Sequence, residues 1–538
     1  MGMGNGFINY PEHIAKEVVV PNQTLPEMLE ASVKTYPDHE VLTFYGRTMS
    51  YRQLFGAVRA FASALQANGL KQGDRFAIML PNCPQFVIAY YGILMAGGIV
   101  TQINPMLVER ELLYILKDSG AKGIIVLDAI HDRVKAVQPD TDLRLIITVS
   151  LLPSKEPEVS ALSFDAFLQN GMLKSPRPIL IDPKEEVAVL QYTGGTTGRS
   201  KGAMLTHYNL LANVLQSYEF FKDETRLGAE RTLAVIPLFH VFGMTSCMNL
   251  SIYTGGSLIL LPRFDIQEVL QTIQREKPTI FPGVPTMYVA LTHFPNVESY
   301  GVDTIRICNS GSAPMPVNLL KVFEQKTGAM VLEGYGLSEA SPTTHCNPPF
   351  AERRPGSVGI GVPSTTYRIV DELTGEHDVP IGERGELIIR GPQVMKGYWN
   401  LPEETSHALR DGWLYTGDIA QMDEDGYVYI VDRKKDMIIA GGYNIYPREI
   451  EEVIYEHPAV KEAAVIGVRD EYRGETVKAY IVLKDGVTAA EEDIIAFCKT
   501  NMAPYKVPKL VEFREELPKT NVGKVLRRAL REQANQDV

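Results

Sequence analysis

The chain has 538 residues, 45% hydrophobic and 22% charged, with 53 Lys and Arg against 65 Asp and Glu for a net charge of −12. That length allows about three or four folding units at roughly 150 residues each, and the composition excludes wholesale disorder. The acidic balance excludes a protein built mainly to track a nucleic-acid backbone, although a site can still gather basic groups locally. Five cysteines (Cys83, Cys247, Cys308, Cys346, Cys498) lie far apart with no C-x-x-C, so neither a disulfide framework nor a zinc knuckle is expected. The first ten residues lack the basic and apolar regions of a secretion signal. Phe7 stands where a myristoylation pattern needs Ser or Thr. The longest apolar run, 86–100, holds three glycines and is too short to span a bilayer. A soluble cytoplasmic chain is expected, with peripheral membrane contact and a homodimer left open.

In chain order, 75–80 reads as a strand, 85–95 as a helix, 98–102 as a strand, 109–117 as a helix and 123–127 as a strand. The pattern resumes with a strand at 186–191, a glycine-rich loop and a helix from Thr206. Strands at 232–236 and 257–261 flank a helix through 244–251. Then come a helix at 266–275, an extended piece at 279–281, a strand at 304–309 and a helix at 317–326. Strands separated by helices of this length predict βαβ units and mostly parallel sheets. After about Thr343, glycines punctuate short extended pieces such as 386–390, predicting a small antiparallel or barrel-like β unit over roughly 345–431. Five consecutive charges at 432–436 follow the apolar strand 427–431 and read as an interdomain joint. Strands at 460–468 and 477–483, a helix at 490–499 and a basic helix at 522–532 complete a small α+β unit. The fold class expected is α/β: a large N-terminal domain over 1–431 and a small mobile domain over 432–538.

The segment Tyr192-Thr193-Gly194-Gly195-Thr196-Thr197-Gly198-Arg199-Ser200-Lys201-Gly202 is the most informative. Its four glycines let backbone N–H groups crowd around an anion, three threonine hydroxyls add donors, and Lys201 adds a point charge. It follows a strand, where open α/β sheets bind ligands. Gly202 after the lysine excludes a Walker A loop, which needs a Mg²⁺-binding hydroxyl there.

This loop resembles the phosphate-binding signature of the adenylate-forming superfamily of acyl-CoA synthetases, luciferases and peptide-synthetase adenylation domains. Glu333-Gly334-Tyr335-Gly336-Leu337-Ser338-Glu339 resembles its second core motif, with Ser338 for the commoner threonine. Tyr415-Thr416-Gly417-Asp418 resembles the third. Arg433-Lys434-Lys435-Asp436 with Gly441-Gly442-Tyr443-Asn444 resembles the hinge and the loop after it, and Pro518–Lys524 the C-terminal lysine motif. The matches run in family order over about three fifths of the chain. Residues 411–435 look most like long- and medium-chain fatty-acid–CoA ligases.

The resemblance implies a carboxylate attacking the α-phosphorus of MgATP, giving acyl-adenylate and pyrophosphate, after which CoA displaces AMP. It assigns the triphosphate to Thr193, Gly194, Gly195, Thr196, Thr197, Gly198 and Lys201, and Mg²⁺ to Glu339. Adenine and ribose fall to Gly311, Ser312, Ala313, Glu333, Gly334, Tyr335, Gly336, Ser338, Asp418 and Arg433. Lys524 becomes the cation at the reacting phosphate, Lys435 the hinge, and Gly441, Gly442 and Tyr443 the CoA tunnel. By residue type alone, Glu339 and Asp418 also suit caps, and Lys524 with Arg527 and Arg528 also suits a solvated face. Ile439 stands where luciferase-like members carry lysine.

The segment 237–244 resembles the family's acyl-site motif, which implies that His240 closes over the carboxylate or gates the tunnel; by residue type alone a lone histidine among apolar residues also suits a satisfied core group. Between Ile236 and Tyr253 there is no aspartate to pair an α-ammonium, which argues against an amino acid substrate. Phe239, Met244, Met248, Gly283 and Val284 would form an unpolarised pocket suited to an alkyl chain, although methionines at this spacing also suit plain core and aryl acids also fit. A carrier-loading adenylating enzyme is a further reading. So is a serine hydrolase, since Gly336-Leu337-Ser338-Glu339-Ala340 is one residue from G-x-S-x-G.

Overall fold

Thr24 and Ser50 begin the first two long helices, Leu25–Thr35 and Tyr51–Ala67, each through a reciprocal capping box with the third helical residue, Glu27 and Gln53. The computed structural model describes residues 10–151, 162–193, 200–313, 315–372, 374–434, 436–440, 443–470, 474–502, 504–520 and 523–536. The helix Pro84–Met95 is apolar on every side and buried almost throughout, because it lies beneath the first sheet within the main core.

That sheet has seven strands, in spatial order Leu162–Ser163, Leu145–Val149, Gly123–Leu127, Arg75–Met79, Ile99–Gln102, Val187–Thr193 and Lys201–Thr206. All neighbours are parallel except the last pair, which form a hairpin. A second sheet orders Arg231–Ala234, Ser257–Leu260, Glu40–Phe44 and Arg47–Ser50. Single bridges through Ile280 tie it to a third, made of Ile307–Ser310, Met330–Gly336, Thr343–Cys346 and Ile360–Gly361. The expected βαβ body is therefore present, built as two packed sheet systems. The glycine-rich loop differs in context: it turns into the strand Lys201–Thr206, and only then does Thr206 cap the helix His207–Phe221.

Thr366–Val370, Gly385–Arg390, Leu409–Arg410, Trp413–Met422 and Val428–Arg433 form a five-stranded antiparallel sheet. The small C-terminal domain has its own five-stranded sheet around Val460–Asp470 and Gly474–Leu483, with two apolar clusters confined to residues 438–534. A further cluster of Ile419, Val431 and Tyr446 packs it against the antiparallel sheet. The last helix is Arg527–Gln536. It starts five residues later than the 522–532 expected, so Lys524 lies in the turn before the helix and not on its face. No described helix is long and apolar enough to cross a membrane, and all five cysteines are buried and unbonded.

Candidate active site

The hairpin register pairs Thr193 with Lys201, so the glycine-rich segment leaves and re-enters the sheet at one point. Gly194, Gly195, Thr196, Thr197 and Gly198 lie outside the described residues. The hairpin's outer strand is extended by 395–399: Trp399 N–H donates to Gly202 O at 2.8 Å, and Met204 N–H to Gly397 O at 2.9 Å. This pairing sets Tyr398 beside Lys201, whose ammonium lies 5.2 Å from the ring centre. The Tyr398 hydroxyl donates to Glu339 Oε1 at 2.7 Å. Lys201 is also ion-paired with Glu404. The base of the loop and Glu339 thus belong to one connected cluster.

Glu339 follows the strand Met330–Gly336 in a short 3₁₀ turn, Ser338–Ala340. The turn is tight: a Cβ on Gly336 would lie 2.2 Å from Pro342 O, so only glycine fits. On the same strand the Tyr335 hydroxyl donates to Asp418 Oδ2 at 2.5 Å. Arg433 Nε lies 3.2 Å from Asp418 Oδ1, a contact set by the register that pairs Asp418 with Arg433 across neighbouring strands. Asp418 is 4% exposed. A carboxylate offers about four acceptor directions, so these two partners leave capacity for a diol. Burial, then the Asp418 charge, pushes the Tyr335 hydroxyl well up, while Asp418 holds Arg433 firmly protonated. Glu333 is buried beside them, accepts from Gly356 N–H at 3.1 Å and is pushed up to about 7 by that burial. Gly334 sits next on this strand, and Gly311, Ser312 and Ala313 leave the adjacent strand Ile307–Ser310, with Ser312 at φ +66°.

Lys524 faces this cluster from the C-terminal domain. Its turn is closed by Thr520 N–H to Lys524 O at 2.7 Å and Lys524 N–H to Thr520 Oγ1 at 3.1 Å. Gly523, at φ +73°, packs so closely that a Cβ would lie 2.5 Å from Thr286 Oγ1. The amine is lowered to about 7, first by burial, then by Arg433, with Asp418 acting the other way. His240, at the start of the helical stretch 241–253, is lowered to about 4 by burial and by Lys524. His240 and the 283–286 segment, with Gly283 and Val284, therefore meet the lysine turn. Met244 and Met248 are fully buried in the main core on the π-helical turn Gly243–Asn249, and Phe239 packs at that core's edge. Lys435, Gly441, Gly442 and the Tyr443 side chain lie outside the described residues.

Glu339 is a single carboxylate, and no cluster of three metal-ligating side chains occurs among the described residues. That donor set suits Mg²⁺, which commonly takes one or two carboxylates together with substrate phosphates. Ser338 opens a 3₁₀ turn and not a helix, and His345, the histidine nearest to it downstream, bonds Thr344 Oγ1 and packs on Tyr367. A serine–histidine nucleophile is thus absent from the described hydrogen bonds. Sequence reading missed Tyr398 and Glu404; nothing in their spacing marks them, because only the tertiary pairing of 395–399 with the hairpin brings them in.

Residues 29–399 match the family model for the AMP-binding enzyme, and residues 449–524 that for the AMP-binding enzyme C-terminal domain. The long-chain-fatty-acid–CoA ligase of Bacillus subtilis (strain 168) is 49% identical, with 98% of each chain covered. The ATP-bound crystal structure of MatB from Rhodopseudomonas palustris superposes with a TM-score of 0.85 at 32% identity, covering 95% of this chain and 99% of that one. Its apo structure gives 0.76. The anthranilate CoA ligase AuaEII in complex with anthranoyl-AMP gives 0.87 at 29% identity, covering 97% and 98%.

Proposed function

The chain belongs to the AMP-binding enzyme family, and from that premise we propose that it is an AMP-forming acid–thiol ligase that joins a medium- or long-chain fatty acid to CoA. In the first step the carboxylate attacks the α-phosphorus of ATP, the α–β bridging bond breaks, and acyl-AMP and pyrophosphate result. In the second, the CoA thiol attacks the acyl carbon, a thioester forms, and AMP leaves.

The first step brings two anions together, so cations must sit where charge accumulates. The observation that carries the reading is one connected set of groups: the hairpin base with Lys201, Glu339 joined to it through Tyr398, Asp418 with Arg433, and Lys524 facing them from the opposite domain. In this reading the loop from Thr193 to Lys201 holds the β- and γ-phosphates. Asp418 takes the ribose hydroxyls, helped by Arg433, and Tyr335 lies along the adenine with 311–313 and 333–338 lining its sides. Glu339 would hold Mg²⁺, which neutralises phosphate charge when bound. Lys524 joins the carboxylate and the α-phosphate, fixing their approach. His240 closes over the carboxylate, and Phe239, Met244, Met248, Gly283 and Val284 form the wall toward the chain. The same opening must then admit a thiol, so the C-terminal domain swings about Lys435 and brings Gly441, Gly442 and Tyr443 to a CoA tunnel. We place the enzyme in the cytoplasm, where both cosubstrates are held; homodimerisation belongs to the same reading and is open to a sedimentation measurement.

AMP release from purified protein with MgATP, CoA and a ladder of carboxylic acids tests this. Each buried CH₂ contributes ~0.8 kcal/mol, so kcat/KM should climb about fourfold per added carbon until the pocket is filled. A profile flat with chain length, with an aryl acid preferred, would favour the aryl-CoA ligase reading that the likeness to AuaEII supports. Pyrophosphate exchange without CoA-dependent AMP release would favour a carrier-loading enzyme.

A further inference from the structure

Three adjacent strands of the first sheet lead to buried carboxamides that all reach one turn. Asn82 follows Arg75–Met79, Gln102 ends Ile99–Gln102, and Gln191 lies opposite Gln102 in Val187–Thr193. Their exposures are 1%, 3% and 3%. Asn82 Oδ1 accepts from Leu238 N–H at 2.7 Å, and Asn82 Nδ2 donates to Ala234 O and Ile236 O at 2.9 Å. Gln102 Nε2 donates to Leu238 O at 3.3 Å and lies 3.2 Å from Met244 Sδ; Gln191 Nε2 donates to Phe239 O at 3.1 Å. Ala234 O also accepts from Leu261 N–H at 3.2 Å, but beyond Ala234 the chain has left its sheet, so at Ile236, Leu238 and Phe239 these side chains serve backbone groups that no strand partner reaches. The next residue is His240.

The Oε1 atoms of Gln102 and Gln191 are buried with no partner among the described residues. Both glutamines are held by their N–H side alone, an arrangement that costs stability compared with an apolar pair of the same shape. Such local cost marks places where geometry matters more than stability. Resting on the function proposed above, we infer that Gln191 and Gln102 are positioning residues that fix the turn bearing His240. Gln191 has a second consequence. Its strand runs two residues on into the phosphate loop, so the acid end and the triphosphate end of the site share one rigid frame.

The test is acid-dependent ATP–pyrophosphate exchange on the full chain, comparing the native enzyme with Gln191→Met and Gln102→Met, which keep the volume and lose the donor. The expected result is KM for the fatty acid raised about tenfold and kcat lowered several-fold, with KM for MgATP within about twofold. An unchanged KM for the acid in both variants, or equal rises for acid and MgATP, overturns the inference. Should Gln191→Met fail to fold, Gln102→Met carries the same comparison, since its strand does not enter the loop; unfolding of both assigns the glutamines to the core alone and overturns it too. A native enzyme that exchanges with no acid overturns the functional reading and this inference together. An active native enzyme with unaltered variants overturns only the inference.

Discussion

An amine lowered to about 7 by burial is half deprotonated near neutral pH, and the proposed first step calls on Lys524 as a cation. Its charged fraction is full well below 7 and falls as pH rises through that value. Bound carboxylate and phosphate favour the ammonium and raise its pKa again. Since kcat/KM reports the free enzyme and kcat the loaded one, acid-dependent pyrophosphate exchange should lose kcat/KM above about pH 7, with kcat holding to a higher pH. Lys524→Arg keeps its charge throughout, so whatever activity it retains should lack that limb; a limb that persists in the arginine variant assigns it to another group. Removing the charge altogether separates the half-reactions. Lys524→Ala should lower adenylation by at least about a hundredfold while leaving thiolysis of supplied acyl-AMP nearly intact, the size seen when one donor to a developing charge is deleted. Equal loss of both steps would remove the lysine from the first.

The hydrogen bonds between Thr520 and Lys524 hold this lysine in place, and the fit there is set by Gly523. At φ +73°, with a Cβ position 2.5 Å from Thr286 Oγ1, Gly523→Ala combines backbone strain with a clash against the opposite domain. Exchange should drop about tenfold or more with the melting temperature of the large domain unmoved, and differential scanning calorimetry beside the kinetics reads both. This element also marks how far sequence reasoning reached. The lysine motif is legible as residue types at fixed spacing, but the helical pattern in the sequence extends over it. A basic, apolar-spaced run reads as helix from Val522, whereas the Thr520 hydroxyl and backbone close a turn that delays the helix to Arg527. Periodicity likewise revealed the parallel strands and their helices, because buried parallel strands are continuous apolar runs. It was silent where one strand serves a hairpin: Lys201–Thr206 is short and begins in a glycine-rich stretch, so it read as loop. The caps at Thr24 and Ser50 are visible in the sequence as Thr or Ser three residues before Glu27 and Gln53. Tyr398, Gln102 and Gln191 carry no sequence signal, since their meaning arises only when distant strands are stacked.

The proposed second step requires the C-terminal domain to leave the position in which Lys524 faces Asp418. What holds it there includes a small clasp. Arg384, beside the strand Gly385–Arg390, is ion-paired with Glu449 and lies 4.9 Å from the centre of the Tyr446 ring. The Tyr446 hydroxyl donates to Glu372 Oε1 at 2.9 Å, and Arg448 N–H donates to Asp432 Oδ2 at 2.9 Å. An exposed ion pair contributes ~0–1 kcal/mol and an exposed cation–π contact ~0.5–1 kcal/mol, so the Arg384 contacts together amount to about 0.5–2 kcal/mol. That is strong enough to bias the domain about tenfold toward the adenylating position and weak enough to release on the timescale of turnover. Arg384→Ala should therefore lower pyrophosphate exchange about three- to tenfold, while thiolysis of supplied acyl-AMP holds or quickens. Raising the salt concentration should imitate the substitution, since the pair is partly exposed. Lys506 pairs with the same Glu449 at 2.6 Å but from within the C-terminal domain, so Lys506→Ala should leave the ratio of the two half-reactions where it was. If Arg384→Ala slowed both half-reactions alike, the contact would be a support for the fold, and the balance between the two positions would have to be set elsewhere.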